Sequence, residues 1–413
     1  MRVVVINTGT ELLLGDVLNS HLRFLAREIF PLGLRVERQI TVPDGEAIRD
    51  AISEARDTAD IVFITGGLGP TTDDITREIT AELFRLKLEH DPAILRAIQQ
   101  RAAERGFRLT DRVARQADVP EGATVLRNEH GSAPGLYLPA NKAAKRPHLF
   151  LLPGPPRELH PMFHSSVLPI LRGIVPSEKV TERRVFRVAG MGESLVEEAV
   201  GAELVALPGL ELGYCARPGE MDLRLIGPTA VLDEAERVVR EKLGTAIFSS
   251  DGSDLEEAVV KLLTERKETL AVAESCTGGY LAHRITNVPG ASAVLLAGYV
   301  TYSNEAKAGS IGVDPNLIAK HGAVSKQVAQ AMAEGARAIA NSDFALSTTG
   351  IAGPTGGTAE KPVGTVFVAL AARDRPPSVQ KRFFPDDRPT FKELTTQVAL
   401  EMLRRRLVES QKR

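Results

Sequence analysis

The chain has 413 residues, 43% of them hydrophobic and 25% charged, a composition that excludes disordered and fibrous classes. Its 51 basic and 53 acidic side chains leave a net charge of −2, which argues against a protein built to coat nucleic acid or an anionic membrane. Two cysteines, Cys215 and Cys276, are too few for a disulfide scaffold or an all-cysteine zinc site and fit a reducing compartment. At roughly 150 residues per domain, the length implies two to three domains. The opening MRVVVINTGTELLLG lacks the order of basic, apolar and small residues found in a secretory signal. No stretch reaches the ~20 apolar residues of a membrane helix, so a cytoplasmic protein that avoids membranes is expected.

From the amino terminus, residues 2–8 form a β-rich run ending at Gly9. Asn19 and Ser20 are good caps for a helix that stops at Pro31-Leu32-Gly33. Residues 34–42 read as a strand and Pro43-Asp44-Gly45 as a turn, while Ala47, Ile48, Ala51, Ile52 and Ala55 share one helix face. Residues 60–65 are the continuous apolar run of a strand covered on both faces. Gly66-Gly67-Leu68-Gly69-Pro70 follows, with a helix predicted from Asp73 or Asp74. Residues 148–152 repeat the theme, delivering Pro153-Gly154-Pro155-Pro156 and a helix from Arg157. The alternation predicts an α/β fold with mostly parallel sheets wrapped by helices.

Residues 178–250 have a different texture. Strand 183–188, helix 193–204, strands 210–216 and 221–226, helix 230–243 and strand 246–248 make a βαββαβ order, that of a small α+β module of split-βαβ or KH-like type. A KH domain grips RNA with a GXXG loop, which Gly190-Met191-Gly192-Glu193 does not supply, so a linking module is expected. The α/β alternation returns with helix 255–266 and strands at 269–273, 293–302, 344–348 and 365–371. A final helix from Thr390 ends in Arg404-Arg405-Arg406, read as solvated cations at a helix C-terminus. The expected domains are 1–175, 176–250 and 251–413.

In the carboxy-terminal part, Glu274-Ser275-Cys276-Thr277-Gly278-Gly279 places a hydroxyl where a strand gives way to a helix. Helix-start N–H groups lack internal partners, so Ser275 could attack a carbonyl while those groups receive the oxyanion. The plainer reading is an ordinary helix cap formed by Ser275 or Thr277. The only histidines beyond residue 250, His283 and His321, lie outside any site-like context, which leaves a Ser–His–Asp triad without support. Lys307, in Tyr302-Ser303-Asn304-Glu305-Ala306-Lys307, is the better base, because burial can pull a lysine from about 10.4 towards neutrality. Tyr302 could relay or orient that proton. Ser347-Thr348-Thr349-Gly350-Ile351-Ala352-Gly353-Pro354-Thr355-Gly356-Gly357 reads as a phosphate or ribose cradle, and Arg388 could add a charge for a phosphate or carboxylate. Cys276 ranks below Ser275 as a nucleophile, since small buried cysteines pack more often than they react.

In the amino-terminal part, the glycine-rich segment 66–70 suits phosphate oxygens, yet Asp73 and Asp74 just beyond would repel a polyanion unless a divalent cation lay between. The alternative is that both aspartates only cap a helix. Glu11 and Asp44 could complete the site. His160 and His164 have metal-like i, i+4 spacing but straddle Pro161, which points to packing or surface roles.

Taken together, Ala273-Glu274-Ser275-Cys276-Thr277-Gly278-Gly279, Val300-Thr301-Tyr302-Ser303-Asn304-Glu305-Ala306-Lys307, Thr349-Gly350-Ile351-Ala352-Gly353-Pro354-Thr355-Gly356-Gly357 and Glu360-Lys361-Pro362-Val363-Gly364-Thr365-Val366 resemble the carboxy-terminal domain of the CinA family. Gly9-Thr10-Glu11-Leu12-Leu13-Leu14-Gly15, Thr65-Gly66-Gly67-Leu68-Gly69-Pro70-Thr71-Thr72-Asp73-Asp74 and Leu152-Pro153-Gly154-Pro155-Pro156-Arg157-Glu158 resemble its amino-terminal half.

The resemblance implies a nicotinamide mononucleotide (NMN) deamidase that needs no cofactor, with Ser275 as nucleophile, Lys307 as base, Tyr302 assisting, and Thr349 and Arg388 at the site. Thr277, Gly278, Gly279, Gly350, Gly353, Gly356 and Gly357 would hold substrate. Around Arg388 the match departs: Pro385-Asp386-Asp387-Arg388 stands where Gly-Asp-Arg is common, and Lys392 where Arg is frequent. For the first half the resemblance implies a molybdopterin-binding fold and an ADP-ribose pyrophosphatase using a divalent metal of the magnesium, cobalt or manganese type, with potassium assisting. Thr10, Glu11, Gly66, Gly67, Leu68, Gly69, Pro153 and Gly154 would bind that substrate, and Asp44, Asp73 and Asp74 the metal. A homodimer is expected and direct nucleic-acid binding is not. Two other readings stay open: a deamidase with a non-catalytic nucleotide- or pterin-binding first half, and a competence factor acting through a DNA or protein partner.

Overall fold

The computed structural model describes residues 1–106, 110–176 and 182–409, and the chain forms two compact units, Met1–Thr181 and Glu182–Arg413. The start of the segment expected at 176–250 partly lies outside the described residues. Among the described residues, no helix is long and apolar enough to cross a membrane.

Unit 1 carries β1 (Arg2–Thr8), β2 (Arg35–Val42), β3 (Ile61–Thr65), β4 (Leu88–His90), β5 (Asp118–Pro120), β6 (Thr124–Leu126), β7 (Gly135–Leu138) and β8 (His148–Leu152). Its main sheet has the order β2-β1-β3-β8-β7-β6, parallel through the first four strands and antiparallel at β7 and β6. β4 and β5 pair separately as a ribbon. The period of two along β3 divides its side chains between two cores. Val62 and Ile64 face Ile48, Ala51, Ile52 and Ala55 of the helix Ala47–Thr58, whereas Ile61 and Phe63 face Leu25, Ile29, Leu159 and Phe163. Burial on both faces is why this segment reads as an unbroken apolar run.

Three details differ from the sequence-based expectation. A short helix, Thr10–Leu14, follows β1; Leu13 and Leu14 are exposed, so no amphipathic pattern announces it. The helix predicted from Asp73 or Asp74 begins later, as Thr76–Leu83. Asp74 is tied back to the Thr71 N–H at 2.9 Å, which holds a turn ahead of the helix. Beyond β8, the helix Pro156–Met162 contains Pro161 and passes through a π-turn, Phe163–Val167, before continuing as Leu168–Ile174. A proline interrupting the hydrogen-bond ladder is the ordinary cause of such a bulge.

In unit 2, β9 (Glu182–Ala189), β10 (Glu211–Arg217), β11 (Glu220–Gly227) and β12 (Ile247–Ser249) form an antiparallel sheet ordered β10-β11-β9-β12. With the helices Glu193–Val205 and Thr229–Leu243 this is the split-βαβ arrangement. Arg187 on β9 is 3% exposed and meets Glu220 at 3.1 Å, Asp222 at 3.3 Å and Asp254 at 2.5 Å. Asp254 caps the helix Leu255–Arg266, so this one cation ties the small sheet to the start of the carboxy-terminal domain.

That domain holds β13 (Leu270–Glu274), β14 (Leu295–Val300), β15 (Phe344–Gly350), β16 (Thr365–Ala372) and β17 (Ser378–Phe383), ordered β14-β13-β15-β16-β17. β13 runs parallel to β14 and β15, but β16 and β17 are antiparallel, so this sheet is mixed rather than mostly parallel. The reason lies in the connection. Parallel neighbours need a crossover, usually a helix, and the glycine-rich segment after β15 contains none. β17 escapes a reading from periodicity because most of it is exposed. The last helix, Arg388–Glu409, corrects the view of Arg404 as solvated. Arg404 is 3% exposed, pairs with Glu401 at 2.7 Å and donates to the Thr245 carbonyl at 2.6 Å.

Removing Arg187 takes the shared buried cation from three carboxylates, of which Glu220 and Asp222 keep only the more exposed Arg217 as a cationic partner. Arg187→Met should cost about 3–5 kcal/mol, the usual penalty for breaking a buried pair from one side. A lowered denaturant midpoint for unit 2 is the expected result, and an unchanged midpoint would contradict the role given to this arginine.

Candidate active site

β13 ends at Glu274, and the turn that follows presents Ser275, whose N–H donates to the Thr348 carbonyl on β15 at 2.9 Å. Gly278 and Gly279 adopt φ of +60° and +93°, the left-handed conformation that carries the chain into the helix Tyr280–Thr286. The helix mouth does not serve as expected. The buried Glu274 carboxylate takes the N–H groups of Gly279 (3.0 Å), Leu281 (3.0 Å) and Ala282 (2.8 Å), so those donors are unavailable to an oxyanion. Gly278 donates to the Ser275 carbonyl. The N–H groups of Cys276 and Thr277 donate to no backbone carbonyl, which makes them the candidate oxyanion donors of this turn. Thr277 is a packing hydroxyl, 2.6 Å from that of Thr348.

Lys307 lies on the helix Asn304–Ile311, which Ser303 caps. Its Nζ stands 3.0 Å from Ser275 Oγ, 2.8 Å from the Thr301 carbonyl and 3.4 Å from the Tyr302 carbonyl. The residue is 1% exposed and none of its hydrogen-bond partners is a carboxylate. Burial holds its pKa below the ordinary lysine value, with Cys276 and Glu305 opposing. Burial also pushes the Cys276 thiol up to about 12, so it stays a thiol and offers no thiolate to keep the lysine charged. A neutral amine has two N–H donors and one lone pair. Once deprotonated, Lys307 would give those donors to the two carbonyls and turn the lone pair to the serine hydroxyl, whereas as an ammonium it donates to all three oxygens.

Other candidates take different places. The Tyr302 hydroxyl accepts from Arg388 Nη2 at 2.9 Å and makes no hydrogen bond to Ser275 or Lys307; its backbone carbonyl is what reaches the lysine. Arg388 also donates to the Gly353 carbonyl at 3.0 Å, so it braces the glycine-rich loop. Thr349 is buried and donates to the Ala323 carbonyl at 2.8 Å, and it is not among the hydrogen-bond partners of Lys307 Nζ. Gly350 ends β15; Gly353, Gly356 and Gly357 lie in the loop beyond it. At Gly357 a side chain would meet the Val363 nitrogen at 2.7 Å, so at least part of this glycine content serves the loop's own folding. His283 is exposed and stacks on Tyr280, and the His321 carbonyl holds Lys361, so neither histidine supports a triad.

In unit 1, the turns after β1, β3 and β8 meet around a cavity of about 440 Å³. Glu11, Gly66, Gly67, Leu68, Gly69, Pro153 and Gly154 line it, as do Asp44, Asp73 and Asp74. Gly67 has φ of +68°, and a side chain there would strike the Thr76 hydroxyl. Thr10 is not among the lining residues; its N–H and hydroxyl hold Asp44 at 3.0 and 3.3 Å. Among the described residues, no three acidic, histidine or cysteine side chains converge to hold a metal ion, so Asp44, Asp73 and Asp74 do not form a protein cage. Their sharing of a cavity with glycine turns fits a cation held jointly with substrate phosphates, which needs only one or two carboxylates. His160 stacks on Phe24 at 3.8 Å and His164 pairs with Glu28 at 2.9 Å, in packing and surface roles. Two further lining residues have no site role in the sequence reading, although Glu158 ends the motif 152–158. Gln116, 1% exposed, lines the cavity and donates to the Leu68 carbonyl at 3.2 Å, and Glu158 lines it from the helix after β8.

A glycine-turn α/β domain, a split-βαβ module and a mixed α/β domain with a serine–lysine pair define a two-headed α/β protein. Residues 4–173 match the family described as "Probable molybdopterin binding domain", and residues 252–407 match the "CinA C-terminal domain". The chain is 44% identical over 400 residues to a "CinA-like protein" of Akkermansia muciniphila, covering 97% of this chain and 96% of that one. A "Putative competence-damage inducible protein" of Caldicellulosiruptor bescii is 42% identical over 417 residues, covering 99% and 100%. The crystal structure of competence/damage inducible protein CihA from Agrobacterium tumefaciens aligns at 40% identity, over 38% of this chain and 96% of that one, with a TM-score of 0.36. The chain belongs to the CinA family.

Because the folded pKa of Lys307 is lowered, the unfolded chain holds a proton that the native state releases, across the window between the folded value and about 10.4. Wild-type stability therefore rises with pH through that window. Lys307→Met lacks the term, so its stability relative to wild type should be most favourable at the low-pH end and decline towards pH ~10. Urea midpoints across this range check it; a difference independent of pH would place the charged lysine in the native state.

Proposed function

We propose that the carboxy-terminal domain hydrolyses the carboxamide of NMN to nicotinate mononucleotide and ammonia. The observation that carries this reading is the 3.0 Å approach of a buried, uncompensated lysine to Ser275 Oγ. Lys307 takes the hydroxyl proton as Oγ bonds to the carboxamide carbon. The resulting oxyanion lies against the Cys276 and Thr277 N–H groups. Lys307 then returns the proton to the departing nitrogen, the C–N bond breaks and ammonia leaves. Water, deprotonated by the same amine, opens the acyl ester and restores Ser275. The loop after β15, braced by Arg388, is suited to the ribose phosphate. No cofactor enters these steps.

The amino-terminal domain we read as an ADP-ribose pyrophosphatase producing AMP and ribose 5-phosphate. A divalent cation, when bound, neutralises diphosphate charge and aids the attack of water. Asp73, Asp74 and Asp44 are the residues that would share it with the phosphates, and the glycine turns at 66–69 and 153–154 offer backbone N–H groups to phosphate oxygens.

Ser275→Ala should abolish ammonia release from NMN while ADP-ribose cleavage continues at the wild-type rate, measured on the same full-length preparation. Loss of both activities would undo the two-site arrangement. EDTA should stop AMP formation and spare deamidation, and readded divalent metal should restore it. Cleavage that persists in chelator would remove the metal from the proposal.

A further inference from the structure

Within unit 2, the split-βαβ module and the carboxy-terminal domain meet across a boundary with open space along it. Cavities of about 290 and 260 Å³ lie there, and Arg217, Glu220 and Gln397 line both. Apolar packing therefore does not fix the boundary at this point, and a polar contact does. Gln397 Nε2 donates to Glu220 Oε2 at 2.8 Å. Gln397, on the helix Arg388–Glu409, is 3% exposed. The turn between β10 and β11 comes close to it through Gly219, with φ of +74°, where a side chain would meet Gln397 Cγ at 2.7 Å.

The other end of the same amide faces the catalytic side. Gln397 Oε1 accepts from Arg284 Nη2 at 2.8 Å. Arg284 lies in the last turn of the helix Tyr280–Thr286, whose first turn Glu274 pins to the segment carrying Ser275. Its guanidinium also donates to Thr396 Oγ1 at 2.9 Å and to Glu256 at 2.7 Å. Glu256 belongs to the first turn of the helix Leu255–Arg266, whose cap Asp254 is held by Arg187, and Arg187 holds Glu220 as well. The contacts thus close into a ring through Arg187, Glu220, Gln397, Arg284 and the start of that helix. Every donor named in the ring faces an acceptor, and a fully satisfied buried network favours one arrangement over its neighbours. The helix carrying Gln397 begins at Arg388, which braces the glycine-rich loop. One amide side chain therefore joins the module, the helix behind Ser275 and the helix that supports the loop.

We propose that the small module holds the serine–lysine site in its working geometry, with Gln397 and Arg284 as positioning residues for the Ser275 turn. The proposal rests on the deamidase reading for the reaction that the geometry serves. Neither residue bonds to Ser275 or to Lys307. Their effect is on where Ser275 Oγ stands relative to Lys307 Nζ, now 3.0 Å away. A displacement of about 1 Å at such a pair costs about a hundredfold in rate. The module is then a working part of the deamidase rather than a spacer.

The test is NMN turnover by the full-length protein, with amide hydrogen exchange of residues 275–286 as a second readout. Gln397→Leu removes both bonds at similar size; kcat should fall roughly tenfold to a hundredfold while KM stays within about threefold, and exchange in 275–286 should quicken. Arg284→Met should show the same split. Gln397→Glu should also lower kcat, because it sets two carboxylates against each other. Adding Glu220→Gln to that variant reverses the roles: the amide now at 220 donates to the carboxylate now at 397, which still accepts from Arg284. The pair should recover kcat to within about threefold of wild type, a coupling that two independent losses would not produce. Wild-type kcat in Gln397→Leu with only a lowered denaturant midpoint, or a double variant no better than Gln397→Glu alone, would overturn the positioning role. A wild type that releases no ammonia from NMN would overturn the deamidase reading instead, and exchange then decides the role by itself. Quickened exchange in Gln397→Leu that the double variant reverses supports it, and unchanged exchange overturns it.

Discussion

A lysine amine buried without a counter-ion is the constraint on which the carboxy-terminal site depends. In water the ammonium form of lysine is strongly favoured, and a nearby carboxylate would keep it so. Here the nitrogen meets two carbonyls and one hydroxyl, all uncharged. The low-dielectric surroundings disfavour the cation, while the three oxygens can satisfy either charge state. Even Cys276, the one titratable neighbour in the same turn, is held as a neutral thiol. A histidine-free pair can thereby do the work usually given to imidazole.

Glu274 secures that arrangement from below. By accepting three N–H groups at the start of the helix Tyr280–Thr286, it pins the turn carrying Ser275 to the helix behind it. Each such hydrogen bond contributes about 1 kcal/mol net. The cost is that the helix dipole is already answered by a protein carboxylate, so substrate charge must be met elsewhere. In the proposed reaction the Cys276 and Thr277 N–H groups would meet the oxyanion, and the loop that Arg388 braces at Gly353 would meet the phosphate.

The amino-terminal site solves a different electrostatic problem. Its glycine turns attract phosphate, while five lining carboxylates repel it. A shared cation would relieve the conflict, and since no three donors converge among the described residues, in the proposed reaction the substrate would complete its coordination. On the proposed reading, metal and substrate binding at this site would be mutually dependent.

Local pattern was enough to place most strands and helices, because periodicity of two or 3.6 and the punctuation of glycine and proline are written in neighbouring residues. It also located Ser275 at a strand end, where α/β folds collect their sites, and Lys307 in the segment after β14, which the structure shows to be a helix. What it missed was set by partners far along the chain. Thr10 turned to Asp44, Gln116 to Leu68 and Arg404 to Thr245, pairings separated by 34, 48 and 159 positions. The sense of β16 and β17 followed from a helix-free connection, and β17, being an exposed edge, carried little apolar signal. The protonation of Lys307, the occupation of the helix mouth by Glu274 and the dispersal of Asp44, Asp73 and Asp74 were decided only in three dimensions. Each is a matter of which atoms exclude water from which charge, and that is a property of packing between distant segments rather than of any one of them.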